Sequence, residues 1–115
     1  MDTHHLNLLR QDTSNGQVAI IRLDGKLNLE TVNTFLQTVR PEGAPGLILD
    51  MSGVKFLDSA GLGALVQLFV HRRSRGQSFA LAALTQQANA VMEVAGMLKL
   101  LPTYGSVNEA IHGKR

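Results

Sequence analysis

Cysteine is absent from the 115-residue sequence. Without thiols the chain can form no disulfide, hold no metal through thiolate ligands and use no thiol nucleophile. Long apolar runs are missing too, since none approaches the ~20 residues that a helix needs to cross a bilayer. The first twelve residues contain no basic segment followed by a long apolar one. We therefore expect no membrane insertion, no secretory signal and a cytoplasmic location.

A strong net charge is also lacking. The chain has 11 Lys and Arg residues against 9 Asp and Glu residues, a formal charge of +2 with neutral histidines. So small a charge gives little support for direct binding to nucleic acid or to a membrane surface. The visible basic cluster, HRRSR at 71–75, falls at the predicted end of a helix, where cations complement the negative end of the helix dipole. A phosphate-bearing ligand or an acidic protein surface is the alternative interpretation.

Strand and helix patterns alternate along a chain long enough for one domain with a single core. Strands are predicted at 6–10 and 18–25, joined by a hairpin at Asn15-Gly16, and at 47–50, 78–84 and 98–101. Helices are predicted from 29 to about 39 with Asn28 as N-cap, from the Asp58-Ser59 junction, from Thr85 to 97, and from Ser106 to 112. The pattern predicts a mixed, mainly parallel sheet with helical crossovers.

The segment from 47 to 69 organises the prediction. Its apolar opening at 47–50 is typical of a buried strand, and a connection at 52–57 leads to a helix that begins at Asp58 and Ser59. Apolar residues then recur at helical spacing: Leu62, Leu65, Val66 and Phe69.

Ser59 is the candidate functional residue at this junction. A serine at a helix N-terminus faces unpaired amide donors and the positive end of the dipole, which would tolerate an added phosphate. Ala60, Gly61 and Gly63 are small, so another protein could approach the hydroxyl. The alternative is that Ser59 only caps the helix and the glycines only allow close packing. Spacing alone favours that alternative.

Residues 47–68, LILDMSGVKFLDSAGLGALVQL, resemble the signature of the STAS domain, a family named for sulfate transporters and anti-sigma factor antagonists. Gly25-Lys26-Leu27 and the core Asp58 to Leu62 lie where that family places its motifs. Many relatives carry aspartate where this chain has Asn28. The resemblance spans nearly the whole chain. It implies one STAS domain over 1–115, an α/β fold with a small mixed β-sheet and about four helices mainly on one side.

The resemblance also implies a function. In stand-alone bacterial members the serine after the aspartate is phosphorylated by an anti-sigma factor serine kinase, and here that serine is Ser59. The chain would then be an anti-sigma factor antagonist whose unphosphorylated form binds this kinase and frees a sigma factor. A serine phosphatase is a further candidate partner, and no oligomeric state is predicted. The predicted partner-binding residues are Asp58, Ser59, Ala60, Gly61, Leu62 and Gly63. The alternative is a stand-alone STAS subunit that regulates or stabilises a membrane transport ATPase complex.

Enzymatic chemistry is disfavoured. A serine hydrolase needs a base held beside its nucleophile, but His4 and His5 lie in the N-terminal segment, and the other two histidines lie late in predicted helices. Ser59 is not in a Gly-x-Ser-x-Gly elbow, and the glycines after it lack P-loop spacing and its lysine. The pair His4-His5 lacks metal-site spacing. We expect no catalytic residue, no cofactor and no metal.

Overall fold

A computed structural model describes residues 5–13 and 15–113; His4 lies outside them. The strands are Leu6–Asp12 (β1), Val18–Leu27 (β2), Gly46–Leu57 (β3), Ser78–Ala82 (β4) and Thr103–Tyr104 (β5). The helices are Val32–Val39 (α1), Ser59–Ser74 (α2), Gln86–Val94 (α3) and Val107–His112 (α4), with a 3-10 turn at Met97–Lys99. In the described part of the chain, no helix has the length and apolarity that would let it span a membrane.

The five strands form one sheet in the order β1-β2-β3-β4-β5. β1 is antiparallel to β2, and every other neighbouring pair is parallel. The antiparallel pair is the predicted hairpin, whose turn contains Gly16 at a φ of 71°. Parallel neighbours require crossover connections, which α1, α2 and α3 provide. The mixed sheet inferred from the sequence is therefore confirmed.

The helices cover the two faces of the sheet unequally. The larger core joins one face of the sheet to α1, α2 and α3, through buried side chains such as Phe35, Leu65 and Met92. The smaller core, around Ile20 and Ile48, packs against α4 on the other face. Three of the four helices thus lie on one side, as the predicted fold class required.

The predicted connection at 52–57 is wrong, because these residues continue strand β3. They pair with the end of β2, which itself runs past Gly25 to Leu27. Two register shifts interrupt this pairing, one of them beside Gly25, whose φ is +126°. The buried residues Met51, Val54 and Leu57 are three positions apart here, so the alternation that marks a strand is lost. Half-exposed strand of this kind is hard to distinguish from a loop by sequence pattern.

The start predicted for α1 is also wrong. The helix begins at Val32, and its N-cap position is Thr31. The Asn28 side chain instead accepts hydrogen bonds from the backbone N–H groups of Glu30 and Thr31, at 3.1 and 3.3 Å, and forms a turn ahead of the helix. Leu29, the first residue of the predicted helix, lies in this turn and is 72% exposed.

The last third of the chain mixes confirmed caps with a displaced strand. Thr85 and Ser106 cap α3 and α4 as predicted, by accepting backbone N–H groups at 3.3 and 3.1 Å. α3 ends at Val94, before the predicted end at 97, and a left-handed Gly96 follows it. The strand predicted at 98–101 is wrong, because that segment contains the 3-10 turn and the strand follows Pro102.

Candidate functional site

Helix α2 begins at the edge of the sheet where β2 and β3 end. Asp58 directly follows β3, and its Oδ1 accepts the backbone N–H of Gly61 at 2.9 Å, which makes it the N-cap of α2. Its Oδ2 accepts the backbone N–H of Leu29 at 3.1 Å. One carboxylate therefore caps the helix and also fixes the loop between β2 and α1 beside it.

That loop is held by buried, uncharged side chains. Asn28 and Thr31 are 9% and 4% exposed. The Thr31 hydroxyl donates to the backbone carbonyl of Lys26 at 2.8 Å and accepts the backbone N–H of Asn28 at 3.1 Å. The Asn28 and Thr31 side chains thus find these partners within five residues. The role of Thr31 was not predicted from the sequence, although its spacing from Asn28 suits a local hydrogen-bonded turn.

Ser59, the first residue of α2, is exposed beside this junction. Its neighbouring glycines differ in what they do. A Cβ atom at Gly61 would lie 2.2 Å from the carbonyl oxygen of Leu27, so Gly61 lets the helix pack directly on the end of β2. A Cβ atom at Gly63 would meet nothing within 4 Å. Close packing therefore accounts for Gly61 and leaves Gly63 as part of the accessible surface.

An apolar groove of about 410 Å³ separates the start of α2 from α3, with Ser59 on its rim. The groove is lined by Ser59, Leu62, Ala90, Val91, Val94 and Ala95. Val94 is 90% exposed although its side chain is apolar. The groove could not be predicted from the sequence, because it depends on how two helices are placed side by side. The available signal was Val94, an apolar residue outside the inward stripe of α3.

The position of α3 against this edge is set by two side chains. The Gln87 side-chain amide accepts the backbone N–H of Leu57 at 2.8 Å and donates to the carbonyl of the same residue at 3.0 Å. The Thr85 hydroxyl donates to the carbonyl of Val54 at 3.0 Å. Both walls of the groove are therefore attached to the last residues of β3.

Among the described residues, the structure places no histidine where it could activate Ser59. His71 follows Ser59 by twelve positions on α2 and is therefore about 18 Å away along the axis. Burial lowers the pKa of His71, and so do the positive charges of Arg40, Arg75 and Arg72. His71 belongs to a different surface of the molecule, at the other end of α2.

Comparisons with known proteins agree with this architecture. The family profile described as the STAS domain matches residues 10–110. An anti-sigma F factor antagonist from Paenibacillus polymyxa is 21% identical over 98 residues, which cover 82% of this chain and 84% of that protein.

Solved structures of other proteins have the same fold. An anti-sigma factor antagonist from Mycobacterium paratuberculosis superposes with a TM-score of 0.87 at 21% identity, covering 97% of this chain and 96% of that one. The Bacillus cell fate determinant SpoIIAA in the phosphorylated form gives a TM-score of 0.70 at 17% identity, covering 95% of this chain and 100% of the other.

Proposed function

The chain belongs to the STAS domain family, and from this we propose that it is an anti-sigma factor antagonist controlled by phosphorylation of Ser59. The unphosphorylated form binds an anti-sigma factor serine kinase and thereby frees a sigma factor. The observation that carries this proposal is the position of Ser59, exposed at the N-terminus of α2 and on the rim of an apolar groove.

The proposed partner surface consists of the start of α2 and the groove beside it. Apolar, well-packed centres provide most of the affinity of protein interfaces, and polar groups surround them. Ser59, Ala60 and Gly63 form the accessible part of the helix start, and Leu62 lines the groove. Asp58 and Gly61 contribute by holding the helix and the adjoining loop in place.

A phosphate on Ser59 would act at the interface rather than on the fold. It adds about −1.5 to −2 charges at neutral pH. Within the monomer this charge lies at the positive end of the α2 dipole, so stability should change little. In the complex the same phosphate must lose water beside an apolar groove, and an apolar or acidic partner surface would leave its charge uncompensated. The two forms therefore differ in affinity for the partner, which is the requirement for a switch.

Three threonines, Thr31, Thr38 and Thr85, are less suitable acceptors than Ser59. Thr31 is 4% exposed, and its hydroxyl is bonded to Lys26. Thr85 is part-buried, and its hydroxyl is bonded to Val54. Thr38 is exposed but lies in the last turn of α1, at the negative end of that helix dipole, which disfavours an added phosphate. After incubation with the kinase and ATP, mass spectrometry should therefore locate the phosphate on Ser59. Phosphate confined to a threonine would contradict the assignment.

The switch is tested by measuring kinase binding to Ser59→Asp and Ser59→Ala by calorimetry. Ser59→Asp should bind several-hundredfold more weakly than the parent, corresponding to about 3–4 kcal/mol. Ser59→Ala should bind like the parent and resist phosphorylation, because it lacks the hydroxyl but adds no charge.

Thr38→Asp is the matched control, since it adds the same charge at an exposed helical position away from the groove. It should bind like the parent. Thermal melting of each variant separates lost affinity from lost folding. Parent-like binding by Ser59→Asp, or a loss explained by unfolding, would refute the mechanism.

The alternative role, as a STAS subunit of a membrane transport ATPase complex, differs in its partner. Binding to the purified ATPase without measurable binding to the anti-sigma kinase would favour that role.

Under the proposed function, residues 1–115 act as one cytoplasmic STAS domain that is a ligand and a kinase substrate. A serine phosphatase reverses the modification, and the domain needs neither catalysis nor a cofactor of its own.

A further inference from the structure

A second pocket lies at the opposite end of α2 from Ser59. The helix has 16 residues, so the two sites are about 24 Å apart along its axis. This pocket has a volume of about 390 Å³ and lies where α1 and α2 end side by side. Its lining includes Leu36, Arg40, Pro41, His71, Arg75 and Gln77.

The cations of this pocket have no carboxylate partner in the described residues. Arg40 and Arg75 are the C-cap residues of α1 and α2, both are exposed, and neither takes part in an ion pair within that part of the chain. Glu42 is the acidic side chain that lines the pocket, but Arg10 binds both of its oxygens. The pocket therefore presents uncompensated positive charge.

Helix dipoles explain only part of this arrangement. A cation at a helix C-terminus stabilises the helix by about 0.3–1 kcal/mol, and a single cation on each helix would provide this stabilisation. Here the two helix ends bring their cations together around a half-buried imidazole. Burial lowers the pKa of His71, and the positive charges of Arg40, Arg75 and Arg72 lower it further. Mutual repulsion of this kind is relieved when an anion binds.

We propose that this pocket binds the phosphate group of a small organophosphate. The guanidinium groups of Arg40 and Arg75 supply planar, charged donors, which suit phosphate oxygens, and the Gln77 amide can add a neutral donor. Leu36 and Pro41 offer an apolar surface to the carbon skeleton. The volume lies within the range of small-molecule sites, about 300–1,000 Å³. The proposal is independent of Ser59 and its partner.

The binding should depend on pH. A bound dianion favours protonated His71, so it raises the pKa of that imidazole, and affinity should increase as the pH falls through that pKa. The groups that face His71 are Arg40 from α1, Arg72 and Arg75 from α2, and Glu42 from the segment after α1. Arginines stay charged, and Arg10 keeps the pKa of Glu42 low. The pH dependence of binding therefore belongs to His71.

The test is an NMR titration of the isotope-labelled full chain with glycerol 3-phosphate, with inorganic phosphate and with glycerol. Glycerol 3-phosphate should shift the amides around the pocket saturably, with a Kd of about 1 mM or tighter, and Arg40→Gln and Arg75→Gln should each weaken it about tenfold. Inorganic phosphate should bind more weakly and glycerol not at all. The ring resonances of His71 should report a raised pKa in the complex.

Arg73→Gln is the matched control, because Arg73 is an exposed cation of the same helix that lies over the Phe69 ring rather than in the pocket. It should leave the affinity unchanged, and thermal melting should show all three variants folded. No saturable shift, an equal loss in Arg73→Gln, or binding of inorganic phosphate as tight as that of glycerol 3-phosphate would overturn the proposal.

Discussion

The two ends of helix α2 are anchored by opposite chemistry. At the N-terminus, the Asp58 carboxylate accepts backbone amides, and the adjoining surface is an apolar groove. At the C-terminus, a guanidinium donates to backbone carbonyls, and the adjoining surface is a cationic pocket. Asp58 satisfies an amide that the start of α2 leaves unpaired, whereas Arg72 satisfies carbonyls of β4 and of the segment before β3. One helix thus presents two surfaces that suit different kinds of ligand.

Arg72 is the C-terminal anchor and is 1% exposed. Its Nε donates to the carbonyl of Ser78 at 2.9 Å, and its two terminal nitrogens donate to the carbonyls of Glu42 at 3.1 Å and Ala44 at 2.6 Å. Burial lowers the pKa of Arg72, but arginine remains charged at any ordinary pH. A single buried cation therefore joins α2 to β4 and to the segment before β3.

The largest effect should come from removing that anchor. Arg72→Met keeps much of the side-chain volume but leaves three carbonyls without their donor, so we expect a loss of about 3–5 kcal/mol in the free energy of unfolding. Urea denaturation measures it. Arg73→Met, at the exposed neighbouring position, should change stability by no more than about 0.5 kcal/mol. Equal effects at the two positions would show that the C-terminal end is not anchored in this way.

A smaller effect is expected at the N-terminal end, where the two glycines can be compared. Gly61→Ala places a methyl group against the Leu27 carbonyl, and we expect it to cost about 1–3 kcal/mol. Gly63→Ala adds a methyl group in open space within a helix and should stabilise by about 0.5–1 kcal/mol. Thermal and urea unfolding of both variants show whether each substitution raises or lowers the free energy of unfolding. Stabilisation by both substitutions would mean that α2 does not press on the end of β2.

The smallest effect should be a loss of stability at low pH, caused by Glu42 near the C-terminal end of α2. Hydrogen bonding from Arg10 lowers the pKa of Glu42 from 4.5 to about 2. The stabilisation that the Arg10–Glu42 pair contributes to the fold is therefore fully present above pH 4.5 and is lost as the pH falls towards 2. Because Arg10 is half exposed and solvent screens the pair, we expect about 1 kcal/mol. Urea unfolding between these pH values should show the loss in the parent and not in Glu42→Gln; identical pH profiles would contradict the assignment.

The N-terminal end of α2 could be predicted because its capping contact is local in sequence. Asp58, Thr85 and Ser106 cap helices by contacting amides three residues ahead, so short sequence patterns located them correctly. Arg72 could not be placed in the same way. Two of its partners, Glu42 and Ala44, are 30 and 28 residues away in sequence, and an HRRSR segment gives no sign of which arginine is buried.

In the rest of the fold and of the site, too, features set by local sequence were predicted and features set by distant contacts were not. The order of strands and helices was predicted from apolar periodicity, but the second half of β3 was not, because its pairing with β2 is non-local. Within the site, sequence alone indicated the helix start at Ser59 and its small neighbours. The groove beside Ser59 and the turn built by Asn28 and Thr31 depend on tertiary contacts, and the structure was needed to find them.

The hydrogen bonds between Gln87 and Leu57 have a consequence for recognition. Because one side-chain amide occupies both backbone groups at the end of β3, α3 is fixed relative to α2 once the chain is folded. Under the proposed function, a partner that enters the groove meets two walls already in position and need not order them. Preorganisation of this kind reduces the entropy lost on association. The rigidity of the groove is thus established during folding, before any partner arrives.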